Sequence, residues 1–576
     1  MTLIAERGFA ERGRQASGAA PSPAPPVGGG APGSHGRSAS PGPPGRPALR
    51  GWRRFELRVG AVVGLLAMIP MANAAAPSLP FDDSYISFAY AARLVAGDGF
   101  RLTAGSKPVE AFSDPLWVLI MAVGRVLGIG LPTWSRIIDV LIVALLAGLT
   151  AALVRRLNPG APTWMAAGAA ALVAWVPATA YQAVGGLETE LFSALLVGAL
   201  LSMVVDAQAR RPLSALTVGL CLALGLTRIE GALVFVVMWL VSWTWSRRPA
   251  GQGEAILRFA VPVLLVECAR ALWFGALVPN SVLAKSGLPS SVASRLVNHE
   301  MSNFAAAYWP VLVVVAGVLA TVVAWRKAFP FLLIVLAPLA ALAVFEVVVA
   351  AGDNYPYERY LLPLFAPLVA VAVVGVSRAG WPRVPSEHLW GWRRPLRMRQ
   401  ASVAGVAAVL VLTFVTANLH QEPHTTTGDN LDVLRGLSRI PKLFTADRLS
   451  DHTWIYQYPL AELIRSLEQP GEVLAVDEPG ILAYYTNVRI VDLYGLANAH
   501  IASLPGQPGK RADPNYLFAQ GPTFFVDHLG SCGFCTGLVD DLAYVKDQRI
   551  WAYDLVALVA PKAGAQAAVA VLQRDP

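Results

Sequence analysis

Two adjacent aspartates, Asp82 and Asp83, follow the first long apolar segment and open the sequence FDDSYISFAYAARLVAGDGF. A carboxylate at such a position has the chemistry of a general base, which takes a proton from an attacking hydroxyl group. The apolar and aromatic residues that follow recur at helical spacing, which predicts a helix lying on a membrane surface. Both aspartates would begin this helix, where its dipole favours a carboxylate. The alternative is a purely structural role, in which Asp83 or Ser84 is the N-cap of the helix.

Further charged residues lie in or beside the short segments that separate the apolar runs. Arg270 and Lys285 are cations of the kind that an anionic leaving group such as a phosphate needs. The carboxylates have the chemistry to position sugar hydroxyl groups or the cations themselves. The other candidate binding residues of this kind are Glu110, Glu188, Arg228, Glu230, Asp353 and Arg359.

Two of these groups have a purely structural alternative. Arg228 and Glu230 would form a local ion pair with no further role, which is the interpretation favoured slightly for that segment alone. Glu267 and Arg270 are three residues apart and would pair on one helix face. Ionisable groups at membrane depth are nevertheless costly, and they are usually paired or functional.

The composition identifies membrane helices as the elements that position these residues. Apolar residues make up 55% of the 576 residues and charged residues only 15%, with a mean hydropathy of +0.50. Soluble domains carry about 25% charged residues. The net charge of +8 comes without a basic helix or zinc-finger spacing, so nucleic acid is not an expected partner. Walker, HExxH and GxSxG motifs are also missing from the sequence, which disfavours ATP-driven transport, zinc proteolysis and serine hydrolysis.

About eleven apolar segments are predicted to cross the membrane. The shorter apolar stretch 115–128 suits an interfacial helix. With that assignment the arginine clusters from Arg155-Arg156 to the 378–399 stretch all lie on the side of the N-terminus, which the positive-inside rule places in the cytoplasm. The predicted spans are 57–76, 133–154, 162–180, 189–206, 212–226, 231–246, 256–277, 307–325, 329–350, 360–377 and 401–419.

The chain is predicted to be mainly α, a multi-pass bundle in the cell membrane with a small outer α/β domain. Residues 1–56 are rich in Pro and Gly and predict a disordered, basic, cytoplasmic tail. Residues 57–419 form the transmembrane domain. In 420–576, strand-like stretches such as VLAVDE and VRIVDLYG alternate with helical patterns. Cys532 and Cys535 form a CxxC there, for which a structural disulfide is favoured over a redox pair, and a free pair stays open.

The motifs, in their order along the chain, resemble the polyprenyl-phosphate-dependent, C-type membrane glycosyltransferases. They are the DD pair, YAARLVAGDGF, PVEAFSDPLW, GLET, RIEG, GALVPNSVLAK and GDNYPYERYLLP, between about residues 78 and 365. Within that superfamily the chain is most similar to the branch containing the actinobacterial terminal arabinofuranosyltransferases of the cell wall. The resemblance implies interfacial helices in the first outer loop, a polyprenyl-phosphate sugar as donor and an envelope glycan as acceptor.

The resemblance also implies roles for particular residues. An aspartate of the DD pair would be the general base, and Asp82 and Asp83 both match that position. Arg270 precedes a P-N-S/T-x-x-A-K motif to which Asn280 and Lys285 belong, and Arg270 and Lys285 would bind the lipid phosphate. The reaction would be a single displacement that inverts the anomeric configuration.

Other functions stay open from the residues. A lipid-linked sugar transporter or flippase would use the same cations and would bind without turnover, but no corresponding broken spans or inverted halves support it. A scaffold protein acting through residues 420–576 would not need the charged loops near the membrane. A motif for a cofactor is not recognised. The carboxylates allow a divalent metal, although their spacing does not demand one.

Overall fold

Apolar helices make up most of the chain, as the composition predicts. The computed structural model describes residues 49–75, 81–246, 248–285, 299–324, 330–348, 358–379, 396–419, 433–444, 457–506, 509, 511–529, 547–559 and 568–574. The predicted tail before Leu49, the candidate Asp353 and the Cys532–Cys535 pair lie outside these segments. The chain divides after Arg50, and the contacts reported below belong to the unit Gly51–Pro576.

The helices that precede the C-terminal sheet domain are numbered α1 to α15 in chain order. Their bounds are α1 Leu49–Ala75, α2 Asp82–Ala96, α3 Pro115–Val126, α4 Leu131–Leu157, α5 Thr163–Trp175, α6 Pro177–Val184, α7 Thr189–Gln208, α8 Ala215–Thr227, α9 Gly231–Ser242, α10 Pro249–Phe274, α11 Asn280–Lys285, α12 His299–Ala324, α13 Pro330–Val348, α14 Phe365–Ala379 and α15 Leu396–Leu419. A short 3₁₀ helix, Leu362–Leu364, leads into α14.

Each predicted span coincides with a helix or a pair of helices, and the chain is a multi-pass membrane protein. Within the described residues, four helices are long and apolar enough to cross a membrane alone, and the α5–α6 pair makes a fifth candidate. The four stretches are Leu131–Leu157, Thr189–Gln208, Met301–Ala320 and Gln400–Leu419.

The predicted span 162–180 is not one continuous helix. It is broken between Trp175 and Pro177, where α5 and α6 meet with a bend of 52°. Proline lacks an amide hydrogen and clashes with the preceding turn, so a helix commonly ends just before it. The stretch 115–128, expected to be an interfacial helix, contains the helix α3, and its position at the membrane surface stays a prediction.

Glycines bring α1 and α4 into close contact. A Cβ atom on Gly60 would lie 2.6 Å from the carbonyl oxygen of Ala144, and one on Gly64 would lie 2.3 Å from the Ala144 Cβ. Small residues four positions apart allow this approach between membrane helices. The contact holds α1, the helix that precedes α2 in the chain, against α4.

A five-stranded mixed sheet forms the C-terminal part of the chain. The strand order is β2-β1-β3-β5-β4, in which β1 runs parallel to β2 and β3 while β5 runs antiparallel to β3 and β4. The remaining elements are α16 Val433–Leu443, α17 Gln457–Leu467, β1 Val473–Val476, α18 Gly480–Tyr485, β2 Arg489–Asp492, α19 Ala499–Ser503, α20 Pro514–Ala519, β3 Phe524–Leu529, the 3₁₀ helix Gln548–Ala552, β4 Tyr553–Val559 and β5 Ala568–Arg574.

The small C-terminal α/β domain that the sequence predicts is therefore confirmed in its fold class, and its location outside the membrane stays a prediction. The stretches VLAVDE, VRIVDLYG and WAYDLVALVA contain β1, β2 and β4, and TFFVDH contains all of β3 except Leu529. Strand β5 was not predicted, although its antiparallel pairing with β3 completes the centre of the sheet. The domain boundaries at 57 and 420 stay predictions.

Candidate active site

Helix α2 presents both aspartates in its first turn. The helix begins at Asp82, and Phe81 occupies the N-cap position with extended backbone dihedrals and no side-chain capping bond. Neither Asp83 nor Ser84 is therefore the N-cap, and the prediction that one of them only caps the helix is wrong. The helix ends at Gly97, whose φ of +90° is left-handed and favours glycine.

Asp82 binds the C-terminal domain. Its Oδ2 accepts a hydrogen bond from the Gly480 amide at 3.0 Å, and its Oδ1 accepts one from the Ile481 amide at 2.8 Å. These amides begin α18, so a carboxylate from another part of the chain satisfies the open end of that helix. A Cβ atom at position 480 would lie 2.0 Å from the Asp82 carbonyl oxygen, so this approach requires glycine. Burial, with the nearby Glu478 carboxylate, raises the pKa of Asp82 well above its usual value, although the two amide bonds act against this shift.

Asp83 contacts a cation instead. Its Oδ2 lies 3.7 Å from Nζ of Lys285, the last residue of α11. The two side chains are 25% and 38% exposed, so both reach the surface of the site. The start of α11 is anchored on the segment between α2 and α3, since the Asn280 amide donates to the Glu110 carbonyl oxygen at 2.9 Å. The structure thus brings four of the sequence-predicted residues into one region.

Arg270 joins the same region through its guanidinium. Its Nε donates to Glu110 Oε2 at 2.6 Å, and it also forms the expected pair with Glu267 on its own helix. Burial raises the pKa of Glu110 above its usual value, while the Arg270 hydrogen bond opposes the shift. The bond therefore ties α10 to the loop that also holds α11.

A second cluster of charges surrounds Arg228. Its guanidinium lies 2.5 Å from Glu230, 3.6 Å from Glu346 and 4.0 Å from Glu188, and all four side chains are buried. The local Arg228–Glu230 pair is thus present, but it is part of a wider network. The Tyr360 ring lies 4.3 Å from the same guanidinium, which adds a cation–π contact.

Asp114 links α2 to this second cluster. It accepts a hydrogen bond from the Ser87 hydroxyl at 2.9 Å, and Ser87 lies one helical turn after Asp83. Burial and the Glu188 carboxylate raise the pKa of Asp114 well above its usual value, while Arg359 acts against this shift. Arg359 is itself buried. Asp114 therefore connects helix α2, through Ser87, with the charges of Glu188 and Arg359.

Sequence reasoning missed two buried carboxylates in the membrane helices. Asp139 on α4 and Glu190 at the start of α7 are 0% and 1% exposed, and none of their four carboxylate oxygens has a hydrogen-bond partner in the described residues. Arg136 lies one turn before Asp139 and is also buried. The available signal was an ionisable residue inside an apolar segment, which is costly unless it serves a purpose.

Within the described residues, no group of three or more His, Cys, Asp or Glu side chains is arranged to hold a metal ion. Ligands for the divalent metal that the carboxylates allow are thus not assigned. That metal stays a prediction.

Two solved membrane enzymes have a similar fold. The match to the crystal structure of ArnT from Cupriavidus metallidurans bound to undecaprenyl phosphate has a TM-score of 0.50 and 14% identity, and it covers 91% of this chain and 98% of that one. The match to the oligosaccharyltransferase of Archaeoglobus fulgidus in its apo form has a TM-score of 0.51 and 11% identity, covering 82% and 69%. This is the GT-C membrane enzyme fold.

The fold expected from the motifs is therefore confirmed, while the arabinofuranosyltransferase branch stays a prediction. Residues 452–571 match a family described as a domain of unknown function, DUF8728. That segment contains α18 and the whole of β1 to β4. No curated protein matches the chain.

Proposed function

We propose that this protein is a glycosyltransferase that moves a sugar from a polyprenyl-phosphate donor to a hydroxyl group of an extracytoplasmic glycan. The observation that carries the proposal is the contact of Asp83 with Lys285. A general base and a cation for the departing phosphate are the two charges that such a displacement needs. Here they lie side by side at the start of an interfacial helix.

Asp83, rather than Asp82, is the base in this proposal. Both carboxylate oxygens of Asp82 accept hydrogen bonds from backbone amides of α18. Asp82 could act as the base only if its contact with the C-terminal domain were broken. Asp83 would take the proton of the acceptor hydroxyl group while the oxygen of that hydroxyl group attacks the anomeric carbon. The bond from that carbon to the phosphate oxygen breaks, polyprenyl phosphate leaves, and the anomeric configuration inverts.

The remaining candidates divide between the phosphate and the sugar. Lys285 and Arg270 would neutralise the phosphate, and Asn280 would hold the helix that carries Lys285. Glu188, Arg228, Glu230, Asp353 and Arg359 would position sugar hydroxyl groups or one another.

The finer assignment is an arabinofuranosyltransferase-like enzyme of cell-wall biogenesis. It rests on the motif resemblance, and the fold similarity to a protein solved with undecaprenyl phosphate agrees with a lipid-linked donor. We place the site on the outer face of the cell membrane, with the N-terminus in the cytoplasm, because the arginine clusters follow the positive-inside rule.

The test is a turnover assay of the full chain in nanodiscs. A panel of polyprenyl-phosphate pentoses and hexoses is offered together with glycan acceptors, and the release of polyprenyl phosphate is measured for the wild type and for Asp83→Asn. Asp98→Asn is the matched control, because Asp98 lies just after the same helix and its side chain, 40% exposed, forms a surface pair with Arg93 at 3.4 Å.

Release by the wild type and Asp98→Asn, but not by Asp83→Asn, would support the proposal. Tight binding of the donors without release, unchanged in Asp83→Asn, would overturn it and favour a transporter. Equal turnover by all three proteins would remove Asp83 from the role of base.

A further inference from the structure

The backbone of a loop in the C-terminal domain, residues 492–498, is hydrogen-bonded to the side chain of its first residue, Asp492. Asp492 Oδ1 accepts the amides of Tyr494 at 2.8 Å and Gly495 at 3.1 Å, and its Oδ2 accepts the Ala497 amide at 2.6 Å. The carboxylate is only 1% exposed. Gly495 has a φ of +100°, so the chain turns there in a conformation that favours glycine.

This loop is hydrogen-bonded to α11, the helix that carries Lys285. The Asn280 side-chain amide donates to the carbonyl oxygens of Gly495 and Leu496, both at 2.7 Å. From the same domain, the Arg511 guanidinium donates to the Ala284 carbonyl oxygen at 3.3 Å. Both ends of α11 are therefore bonded to the C-terminal domain.

Tyr494 lies on this loop directly before Gly495, whose carbonyl oxygen accepts the Asn280 hydrogen bond at the start of α11. Its phenol is partly buried, and it is close enough to Lys285 and Asp83 for both charges to act on it. Burial raises the pKa of Tyr494, and the Lys285 ammonium opposes the shift. The phenol therefore keeps its proton at neutral pH, and a neutral phenol is a hydrogen-bond donor.

We propose that the Tyr494 hydroxyl donates a hydrogen bond to the phosphate oxygen that Lys285 neutralises. The C-terminal domain, whose helix α18 is bonded to Asp82, would then also supply part of the phosphate site. This inference rests on the proposed function, since it assigns a residue to the leaving group of that reaction. It would also give a role to the segment that matches a domain of unknown function.

The experiment compares Tyr494→Phe with the wild type in the full chain. Phenylalanine keeps the ring and removes only the donor. Tyr553→Phe is the matched control, because the Tyr553 hydroxyl donates to the Pro522 carbonyl oxygen at 2.6 Å within the same domain, and no contact connects it with Asp83 or Lys285 among the described residues. Three quantities are measured: kcat/KM for sugar transfer, the affinity for polyprenyl monophosphate alone, and the unfolding temperature.

A hydrogen bond to a charged group is typically worth a factor of about 10 to 100. We expect Tyr494→Phe to lower kcat/KM and the affinity for polyprenyl monophosphate by that factor, with an unchanged unfolding temperature. Tyr553→Phe should change neither kcat/KM nor the affinity.

Wild-type kcat/KM and affinity in Tyr494→Phe would overturn the inference and leave the proposed function intact. A loss accompanied by a lower unfolding temperature, and shared by Tyr553→Phe, would also overturn it by revealing a packing role. If the wild type binds polyprenyl monophosphate but transfers no sugar, the proposed function fails. The affinity of Tyr494→Phe then still decides on the phosphate contact.

Discussion

The carboxylate of Asp82 accepts a hydrogen bond from the Ile481 amide at 2.8 Å, so one side chain joins helix α2 to the C-terminal domain. The next residue, Asp83, contacts the Lys285 ammonium instead. Successive residues of an α-helix point about 100° apart, so adjacent carboxylates meet different neighbours. The pair therefore divides two tasks: Asp82 holds the domain, and Asp83 lies beside the cation.

This division predicts different defects for Asp82→Asn and Asp83→Asn. The Asp83 variant should lose transfer by about 10²–10⁴-fold, which is the usual contribution of a general base. Its unfolding temperature should hardly change, because partly exposed ion pairs contribute about 0–1 kcal/mol. Asp82→Asn turns an NH₂ group toward a backbone amide and should lower the free energy of unfolding by about 1–3 kcal/mol. Thermal unfolding and initial rates, measured in the same detergent, separate the two; identical defects would contradict the division.

Gly480→Ala should weaken the same junction from the other side. The added methyl group would meet the Asp82 carbonyl oxygen at 2.0 Å, and backbone atoms cannot move aside easily. We expect a loss of about 1–3 kcal/mol in the free energy of unfolding. Gly253→Ala is the control, because nothing lies within 4 Å of its added Cβ and alanine favours a helix. An unchanged unfolding temperature in Gly480→Ala would show that the junction tolerates a shift.

Hydropathy and charge predicted the helices, and strand-like stretches predicted most of the sheet, because both signals are local. The choice between Asp82 and Asp83 depends on amides at 480 and 481, which no local pattern connects with residue 82. Hydropathy does not single out Asp139 as a candidate site residue, because a single carboxylate hardly alters the mean hydropathy of a long apolar segment.

The break at Pro177 could have been predicted, since the proline itself carries the signal. Strand β5 is harder to predict from the sequence, because its short run of residues becomes a strand only when β3 and β4 pair with it. Folded neighbours thus decide what a short segment becomes.

The bond from Arg270 to Glu110 should be strongly coupled in a double-mutant cycle. Arg270→Gln leaves the buried Glu110 without this counter-charge, and Glu110→Gln leaves Arg270 with Glu267 as its carboxylate partner. The effect of the double substitution on the free energy of unfolding should be about 1–3 kcal/mol smaller than the sum of the two single effects. The exposed Arg258–Glu254 pair on the same helix, at 2.6 Å, is the control cycle and should give about 0.5 kcal/mol or less. Additive effects at 110 and 270 would show that solvent screens that bond.

Arg228 should be among the least replaceable cations in the bundle. Its removal leaves Glu230, Glu188 and Glu346 buried without their shared counter-charge, which typically costs about 3–5 kcal/mol. Arg228→Gln should therefore lower the unfolding temperature far more than Arg93→Gln, whose partner Asp98 is 40% exposed. Similar unfolding temperatures for the two variants would show that the network contributes little to stability.

Asp492 should give the protein a measurable pH dependence of stability. Burial raises the pKa of Asp492 to about 7, whereas the unfolded chain has the ordinary value near 4. Between these values the folded state holds a proton that the unfolded state has lost. The free energy of unfolding therefore falls as pH rises, by about 1.4 kcal/mol per pH unit from this group.

Asp492→Asn cannot titrate and should lose this contribution, although it should be less stable overall because one amide of the loop loses its acceptor. The measurement is the unfolding temperature of both proteins from pH 4 to pH 8. The difference between wild type and variant should shrink steadily toward pH 7 and then stay constant. A difference that does not depend on pH would mean that the loop carboxylate is ionised throughout, with its three amide bonds outweighing its burial.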